Sequence, residues 1–163
     1  LEKLKVDTIE QKKYEIVHEN TVIDCHDVFI RTEHDGEKGI LLVKRLNHPA
    51  KNVYWPVGGR VLRGISTEES LRKKVEEECS LALKKIEYLA TARTFFKEEP
   101  FGHNKGTDTI NLVYVADGVG EPKLNSLHTS PLIVTRENYQ DLRPTLDPYS
   151  QTYLDSINEK NLW

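Results

Sequence analysis

The sequence predicts an α/β fold, an α/β/α sandwich in which helices flank a mixed β-sheet. Segments with strand character and amphipathic helical patterns follow one another along the chain, an order that such layers accommodate. The stretch Val53–Leu83 contains the basic unit: a strand, a glycine turn, a loop and a helix. At 163 residues, the chain is expected to form a single domain, 1–163, with a substantial core.

The first part of the chain predicts one helix and a β-hairpin. Asp7–Glu10 has the spacing of a capping box, which predicts a helix that ends near Val17. Two apolar runs, Thr21–Arg31 and Gly39–Arg45, are typical of strands, and Asp35-Gly36 between them is a hairpin turn signal. The two strands are therefore expected to pair.

The centre of the chain predicts a buried strand followed by a capped helix. The segment Tyr54–Val57 is apolar and aromatic, and Gly58-Gly59 should end this strand, because glycines allow backbone angles that a Cβ forbids. The Ser66 hydroxyl is placed to cap a helix, and Glu69 lies at the position that completes a capping box.

This helix has an apolar stripe with two glutamates beside it. Glu78 falls on the edge of the stripe, so its carboxylate should be paired, bind a cation or face a cleft. Glu77 is turned about 100° away. The simpler alternative is a solvated charged helix, in which Lys73 pairs with Glu77 and Lys74 with Glu78. The stripe consists of Leu71, Val75, Cys79 and Ala82.

The second half of the chain predicts a pair of long strands and two further helices. The long strands should pair with each other across a loop that contains glycine and proline. In order, the expected elements are strands at Lys85–Glu98 and Thr109–Asp117, a short extended piece at Pro131–Val134, and helices at Arg136–Leu142 and Tyr149–Glu159.

Composition excludes several classes of function. A net charge of −3 shows no basic footprint, so long nucleic acid is not an expected partner. No apolar run approaches the roughly 20 residues of a membrane span, and no signal peptide is evident. Cys25 and Cys79 lie in apolar surroundings, which favours free thiols and a cytoplasmic protein. The absence of methionine indicates a trimmed start.

The segment 59–81 resembles the Nudix box, G-x5-E-x7-R-E-U-x-E-E-x-G-U, where U is aliphatic. Five positions match this pattern: Gly59, Val75, Glu77, Glu78 and Leu81. Three positions depart from it, namely Ile65, Lys74 and Ser80, and Lys73 preserves only the charge of the arginine. The box by itself is therefore a moderate signal.

The flanking sequence resembles the GDP-mannose mannosyl hydrolases, atypical Nudix enzymes with a degraded box. Similar segments are Gly39–Val61, the strand around Asp27, Gly106–Asp108 and Pro148–Leu154. The resemblance implies the Nudix-type α/β/α sandwich, a homodimer and a nucleotide-sugar substrate. It also implies that the sugar C–O bond of a GDP-hexose is cleaved with the help of Mg²⁺.

A divalent cation would neutralise the diphosphate, and Mg²⁺ is bound through one or two carboxylates, waters and phosphates. Glu78 and Glu77 are the best candidate ligands, and the resemblance adds the carbonyl of Gly59. Mg²⁺ is the expected ion, with Mn²⁺ as an alternative. Ile65 stands where the mannosyl hydrolases keep an acid, so one outer ligand is missing.

Several side chains are candidates for substrate contacts. The resemblance assigns Arg60 to the leaving diphosphate, which a guanidinium can bind bidentately; the alternative is a surface arginine. Lys44, Arg45 and Arg93 are weaker candidates for phosphate contacts. The resemblance also places Asp27 near the substrate, although a strand acid is as often simply solvent-facing.

Hydrolysis also requires a general base, and the sequence leaves its identity open. The mannosyl hydrolases have a base in a late loop, and matching Pro148–Leu154 places Asp147 there. Asp147 is equally a natural cap for the last helix. His103 and His128 are loop histidines that can take the role instead.

Three functions compete at this point. The first is hydrolysis of a nucleotide sugar at carbon, and the second is ordinary Nudix pyrophosphohydrolysis, disfavoured because Ile65 and Lys74 replace two acids. The third is a binding module that has lost its chemistry. Product analysis with a panel of nucleotide sugars and Mg²⁺ separates them.

Overall fold

A computed structural model describes residues 4–5 and 9–163 of the chain. Asp7 and Thr8, which begin the predicted capping box, lie outside the described residues. The helices, in order, are α1 (Gln11–Asn20), α2 (Thr67–Cys79), α3 (Tyr139–Leu142) and α4 (Pro148–Glu159). The strands are β1 (Ile23–His34), β2 (Glu37–Arg45), β3 (Tyr54–Trp55), β4 (Val57–Arg60), β5 (Ala82–Phe96), β6 (Thr107–Val119) and β7 (His128–Val134).

The strands form a mixed sheet with β1 near its centre. The sheet has the order β3-β2-β1-β6-β5, while β4 also pairs with β1 and β7 with β2. Only the pairing of β1 with β6 is parallel among the described strands. The predicted hairpin is present, because Asp35 and Gly36 both adopt positive φ between the paired residues His34 and Glu37.

The core lies on both faces of this sheet, which confirms the α/β/α sandwich. Alternate residues of β1 and β2 point to opposite faces. On one face, Val28 packs with the buried α2 residues Leu71 and Val75. On the other face, Phe29 packs with Leu154 of α4. The sheet thus separates α2 from α4, and the two helices form the outer layers.

The predicted glycine break is wrong, because Gly58 and Gly59 both belong to strand β4. Gly58 pairs with Asp27 and Gly59 with His26. A Cβ on Gly58 would lie 2.2 Å from the carbonyl oxygen of His26. The glycine is therefore needed for the close approach of two strands and not for a turn.

The central helix forms as predicted but ends earlier. The Ser66 hydroxyl accepts a hydrogen bond of 3.1 Å from the Glu69 N–H. Ser80 adopts the left-handed conformation and ends the helix. Ala82 consequently lies in β5 and is exposed, so the apolar stripe has three buried members rather than four.

Candidate active site

A cavity of about 250 Å³ lies beside the carboxyl half of β4. Strands β1, β4, β5 and β6, helix α1 and the loop after β2 contribute to its wall. Its aromatic residues are Tyr14, Trp55 and Phe96, its charged residues are Asp27, Arg45 and Arg60, and its polar residues include Thr94, Thr109 and Asn111. The combination of flat aromatic surface with two guanidinium groups suits a ligand that carries both a ring and a negative charge.

Asp27 lies at the base of the cavity and is 4% exposed. Its Oδ2 accepts a 2.6 Å hydrogen bond from the Tyr149 hydroxyl, and Tyr149 stacks on Trp55 with ring centroids 4.5 Å apart. Burial raises the pKa of Asp27 to about 6, although the Tyr149 hydrogen bond and the charge of Arg45 oppose this change. The alternative of a solvent-facing strand acid is therefore wrong.

Arg60 lies at the end of β4 with its guanidinium over the ring of Tyr14, at 4.0 Å from the ring centroid. This stacking leaves the edge of the guanidinium free to donate hydrogen bonds. Its Nη1 is buried and has no hydrogen-bond partner among the described residues. A buried donor without a partner is unfavourable by about 1–3 kcal/mol. Arg60 is thus well placed to bind an anion in the cavity.

Of the other predicted phosphate contacts, the structure brings only Arg45 into the cavity. Its Nε donates a 2.9 Å hydrogen bond to the carbonyl oxygen of Pro49, and its charge lowers the pKa values of both Asp27 and Glu78. Lys44 lies outside the cavity wall, 6.0 Å from the ring centroid of Tyr54. Arg93 also lies outside it and forms a two-pronged ion pair with Asp108, at 2.7 and 2.8 Å.

Glu78 is 5% exposed, as its position on the edge of the apolar stripe predicts. Its Oε1 lies 3.4 Å from Nζ of Lys74, while Oε2 is buried without a hydrogen-bond partner among the described residues. Burial raises the pKa of Glu78, and the charges of Lys74 and Arg45 oppose the increase. Glu77 is exposed on the neighbouring face of α2, so the structure does not bring the two glutamates together.

His128 lies next to Glu78 because the preceding loop is attached to the end of α2. The Asn125 N–H donates a 2.9 Å hydrogen bond to the Glu78 carbonyl oxygen. The Oδ1 of Asn125 accepts from Leu127 N–H and lies 3.3 Å from His128 Nδ1, which therefore carries the ring proton. This tautomer directs the lone pair of His128 Nε2 towards Glu78 Oε2, 3.8 Å away.

Two lone-pair atoms that face each other require a proton or a cation between them. Burial lowers the pKa of His128 to about 4, so the imidazole is neutral at neutral pH. The remaining possibilities are a proton on Glu78 or a cation bound to its Oε2. The described part of the chain contains no group of three His, Cys, Asp or Glu side chains that could hold a metal ion. A divalent cation here would therefore be held by Glu78 Oε2, with waters and phosphate oxygens as its other ligands.

The structure gives Asp147 and His103 other roles. Asp147 Oδ1 accepts a 2.8 Å hydrogen bond from the Tyr149 N–H and caps α4, and Asp147 does not line the cavity. His103 Nε2 lies 2.8 Å from His18 Nδ1, on the loop between β5 and β6. Of the three candidates for the base, only His128 lies beside Glu78, although neither of these two residues lines the cavity.

Sequence reasoning assigned no site role to Tyr149 or to the polar residues of β6. Thr107, Thr109 and Asn111 alternate along that strand and share one face, which is the cavity face. The Asn111 amide donates to Thr109 Oγ1 at 2.9 Å and to Thr94 Oγ1 at 3.1 Å. The alternation was visible in the sequence, but nothing local shows which face of a central strand borders a cavity.

Comparison with known proteins agrees with the fold. The NUDIX domain profile matches residues 26–152. An ADP-ribose pyrophosphatase of Methanocaldococcus jannaschii is 32% identical over 86 residues, which cover 53% of this chain and 47% of that protein. The chain thus matches about half the length of this relative.

Two solved structures show the same fold at low sequence identity. The NUDIX domain of Shewanella oneidensis NrtR, complexed with ADP ribose, covers 95% of this chain and all of its own, with 16% identity and a TM-score of 0.64. A MutT protein from Methanosarcina mazei covers 86% of this chain and 95% of its own, with 21% identity and a TM-score of 0.63. None of the described helices is long and apolar enough to cross a membrane. Because the domain profile matches more than half of its length, the chain belongs to the Nudix family.

Proposed function

We propose that this Nudix protein hydrolyses a nucleoside diphosphate sugar, with GDP-mannose and GDP-glucose as the expected substrates. The observation that carries the proposal is Nη1 of Arg60, in the wall of the cavity, a buried cationic donor that has no partner among the residues that the structure describes. Phosphate oxygens match a guanidinium edge and would satisfy this donor. Arg45, in the same wall, supplies a second guanidinium.

The remaining cavity residues suit the other parts of such a substrate. Tyr14, Trp55 and Phe96 offer aromatic surface for the base, and Asp27 and Asn111 offer polar atoms for hydroxyl or amino groups. Nothing in this set distinguishes guanine from adenine. The preference for GDP rests on the similarity of the flanking segments to the mannosyl hydrolases.

In the proposed reaction, Arg60 stabilises the negative charge that develops on the leaving diphosphate. His128 is a neutral imidazole whose Nε2 is directed towards Glu78, and it is the proposed base that takes a proton from water. Glu78 is the residue that would hold Mg²⁺ or Mn²⁺, through its unpartnered Oε2. When bound, such an ion supplies Lewis-acid stabilisation of phosphate oxygens.

Attack at the sugar carbon fits the site better than attack at phosphorus. Lys74 stands at an acid position of the box, Glu77 is exposed, and Glu78 is the single buried carboxylate of α2. One carboxylate can hold one ion, whereas attack at phosphorus usually involves several carboxylates that hold metals and orient water. The departing group is then GDP, and the second product is the free hexose.

A second candidate is pyrophosphohydrolysis of ADP-ribose. The similarity to the Methanocaldococcus jannaschii ADP-ribose pyrophosphatase and the ADP ribose bound by the NrtR domain favour it. The products would be AMP and ribose 5-phosphate. A third candidate is binding without turnover, which is suggested by the departures of Ile65, Lys74 and Ser80 from the Nudix box. The experiment below distinguishes all three candidates.

The test is incubation with GDP-mannose, GDP-glucose or ADP-ribose and Mg²⁺ in ¹⁸O-labelled water, followed by mass spectrometry of the products. Label in the hexose confirms attack at carbon, and label in a phosphate refutes it in favour of pyrophosphohydrolysis. Binding without turnover favours the inactive module. In the same assay, Arg60→Ala should reduce turnover. Its matched control is Arg63→Ala, because Arg63 is an exposed arginine three residues further along the chain. The homodimer implied by the family resemblance stays a prediction.

A further inference from the structure

We propose that the ammonium group of Lys74 is a built-in cation of the diphosphate subsite, so that this chain binds a nucleoside diphosphate without a metal ion. The inference rests on the proposed function for the class of ligand, a nucleoside diphosphate. The inference goes beyond the proposed function, because the ammonium of Lys74 supplies positive charge that metal ions supply in a metal-dependent site.

The position of Lys74 supports this role. It lies on α2 with its Nζ 3.4 Å from Glu78 Oε1. Its side chain crosses the backbone of β4, since Cε would be 3.2 Å and Nζ 3.8 Å from a Cβ built on Gly59. The ammonium thus lies near both Gly59 and the Glu78 carboxylate, two residues that the sequence predicts as metal ligands.

Lys74 also lies near the arginine assigned to phosphate. Lys74, Arg60 and Tyr14 line one shallow depression, and Arg60 and Tyr14 also line the cavity. The side chain of Lys74 is 24% exposed, whereas that of Glu78 is 6% exposed. The ammonium can therefore contact an incoming anion while its stem stays packed on Gly59.

Lys74 makes the net charge of the ionisable groups around Gly59 positive instead of negative. Around Gly59 the positive groups are Arg45, Arg60 and Lys74, and the negative groups are Asp27 and Glu78 when both are ionised, so the sum is +1. With the glutamate that the Nudix box has at position 74, the same groups would sum to −1. A negative site requires added cations before a diphosphate can bind, and a positive one does not.

The simpler alternative is that Lys74 only pairs with Glu78, as an i,i+4 pair on a helix. An exposed pair of this kind contributes tenths of a kcal/mol and would not affect a ligand. Here Glu78 is buried, and its second oxygen stays without a partner among the described residues. Pairing alone predicts a change in stability on removal of Lys74 and no change in nucleotide affinity, so binding measurements distinguish the two roles.

The experiment measures the affinity for GDP and for ADP by calorimetry, in EDTA and in Mg²⁺. The wild type should bind at least one of the two in EDTA, with an affinity within about tenfold of that in Mg²⁺. Lys74→Met keeps the length of the side chain and should weaken binding in EDTA by about tenfold or more. Lys74→Glu should bind only in Mg²⁺. Lys73→Met, one residue away on the same helix, is the matched control and should bind like the wild type.

Two results overturn the inference: wild-type binding that requires Mg²⁺, or equal affinities of the wild type and Lys74→Met in EDTA. If the wild type turns over nucleotide sugars in Mg²⁺ but binds no nucleotide in EDTA, this inference fails and the proposed function stands. If no nucleotide binds under either condition, the proposed function fails and this inference with it. Should Lys74→Met not fold, as judged by circular dichroism, Lys74→Gln replaces it and should likewise weaken binding in EDTA by about tenfold or more.

Discussion

Asp27→Asn should remove a pH dependence from the stability of the protein. Burial raises the pKa of Asp27 from 3.8 to about 6 in the folded state. The folded protein therefore holds this proton more tightly than the unfolded chain, and the free energy of unfolding falls as the pH rises between these two values. The difference corresponds to about 3 kcal/mol, which is large beside the 5–15 kcal/mol stability of a typical domain.

The asparagine keeps an oxygen for the Tyr149 hydroxyl, which donates to Asp27 at 2.6 Å, but it cannot ionise. Below pH 4 the variant and the wild type should be about equally stable. Above pH 6 the variant should be more stable, by up to about 3 kcal/mol. Other titrating groups affect both proteins in the same way, so they cancel in the difference.

Urea unfolding at several values between pH 4 and pH 8, followed by tryptophan fluorescence, measures this difference. Trp55 stacks on Tyr149 and is a local reporter of the site. Asp24→Asn is the matched control, because Asp24 is an exposed carboxylate on the same strand. A constant difference between wild type and Asp27→Asn over this range would refute the reasoning.

Further expectations concern four residues, Arg60, His128, Asp147 and Glu78. Arg60→Lys keeps the charge but loses the bidentate edge, so kcat should fall more than KM rises, and unchanged kcat for Arg60→Ala would rule out the assigned role. His128→Asn should lower kcat by about 10²–10⁴-fold if His128 is the base. By contrast, Asp147→Ala should lower the free energy of unfolding by about 1 kcal/mol and leave kcat unchanged, since Asp147 caps α4. Glu78→Gln should weaken Mn²⁺ binding measured by electron paramagnetic resonance, and an affinity equal to that of the wild type would contradict the assignment of Glu78 as a ligand.

The sequence predicted those parts of the fold that depend on local rules. The Ser66 cap and the Leu71/Val75/Cys79 stripe act within one helix, and Asp35-Gly36 acts within one turn. The parallel pairing of β1 with β6 joins residues that are 86 positions apart, such as Ile23 and Thr109, and has no local pattern. It is nevertheless this pairing that places Asn111 next to Cys25 at the cavity.

The same distinction between local and long-range features decides which properties of the site residues could be predicted from the sequence. The burial of Glu78 follows from its position on a helix face, which is a local feature, whereas Arg60 was proposed from the family resemblance. Arg93 could not be judged from the sequence, because its ion pair with Asp108 depends on the register between β5 and β6, which contains two irregularities. The proximity of His128 to Glu78 could not be predicted either, because it depends on the hydrogen bond from Asn125 to the end of α2.

The unsatisfied groups of the structure converge on one position in the sheet. Four buried side-chain atoms of the described residues have no hydrogen-bond partner: His26 Nδ1, Arg31 Nε, Arg60 Nη1 and Glu78 Oε2. Arg31 Nε is only formally unpaired, since it lies 2.7 Å from Asp117 Oδ1 in an ion pair.

The other three surround Gly59. His26 pairs with Gly59 between strands β1 and β4, and Arg60 follows Gly59 in the chain. Glu78 forms an ion pair with Lys74, and the side chain of Lys74 packs on Gly59. A folded protein usually satisfies its buried polar groups, and it departs from that rule mainly where a ligand completes the set. A diphosphate at Gly59 would give Arg60 the acceptor that it lacks, and a proton or a cation would do the same for Glu78. The distribution of unpaired atoms therefore supports the proposal that the substrate phosphates bind near Gly59.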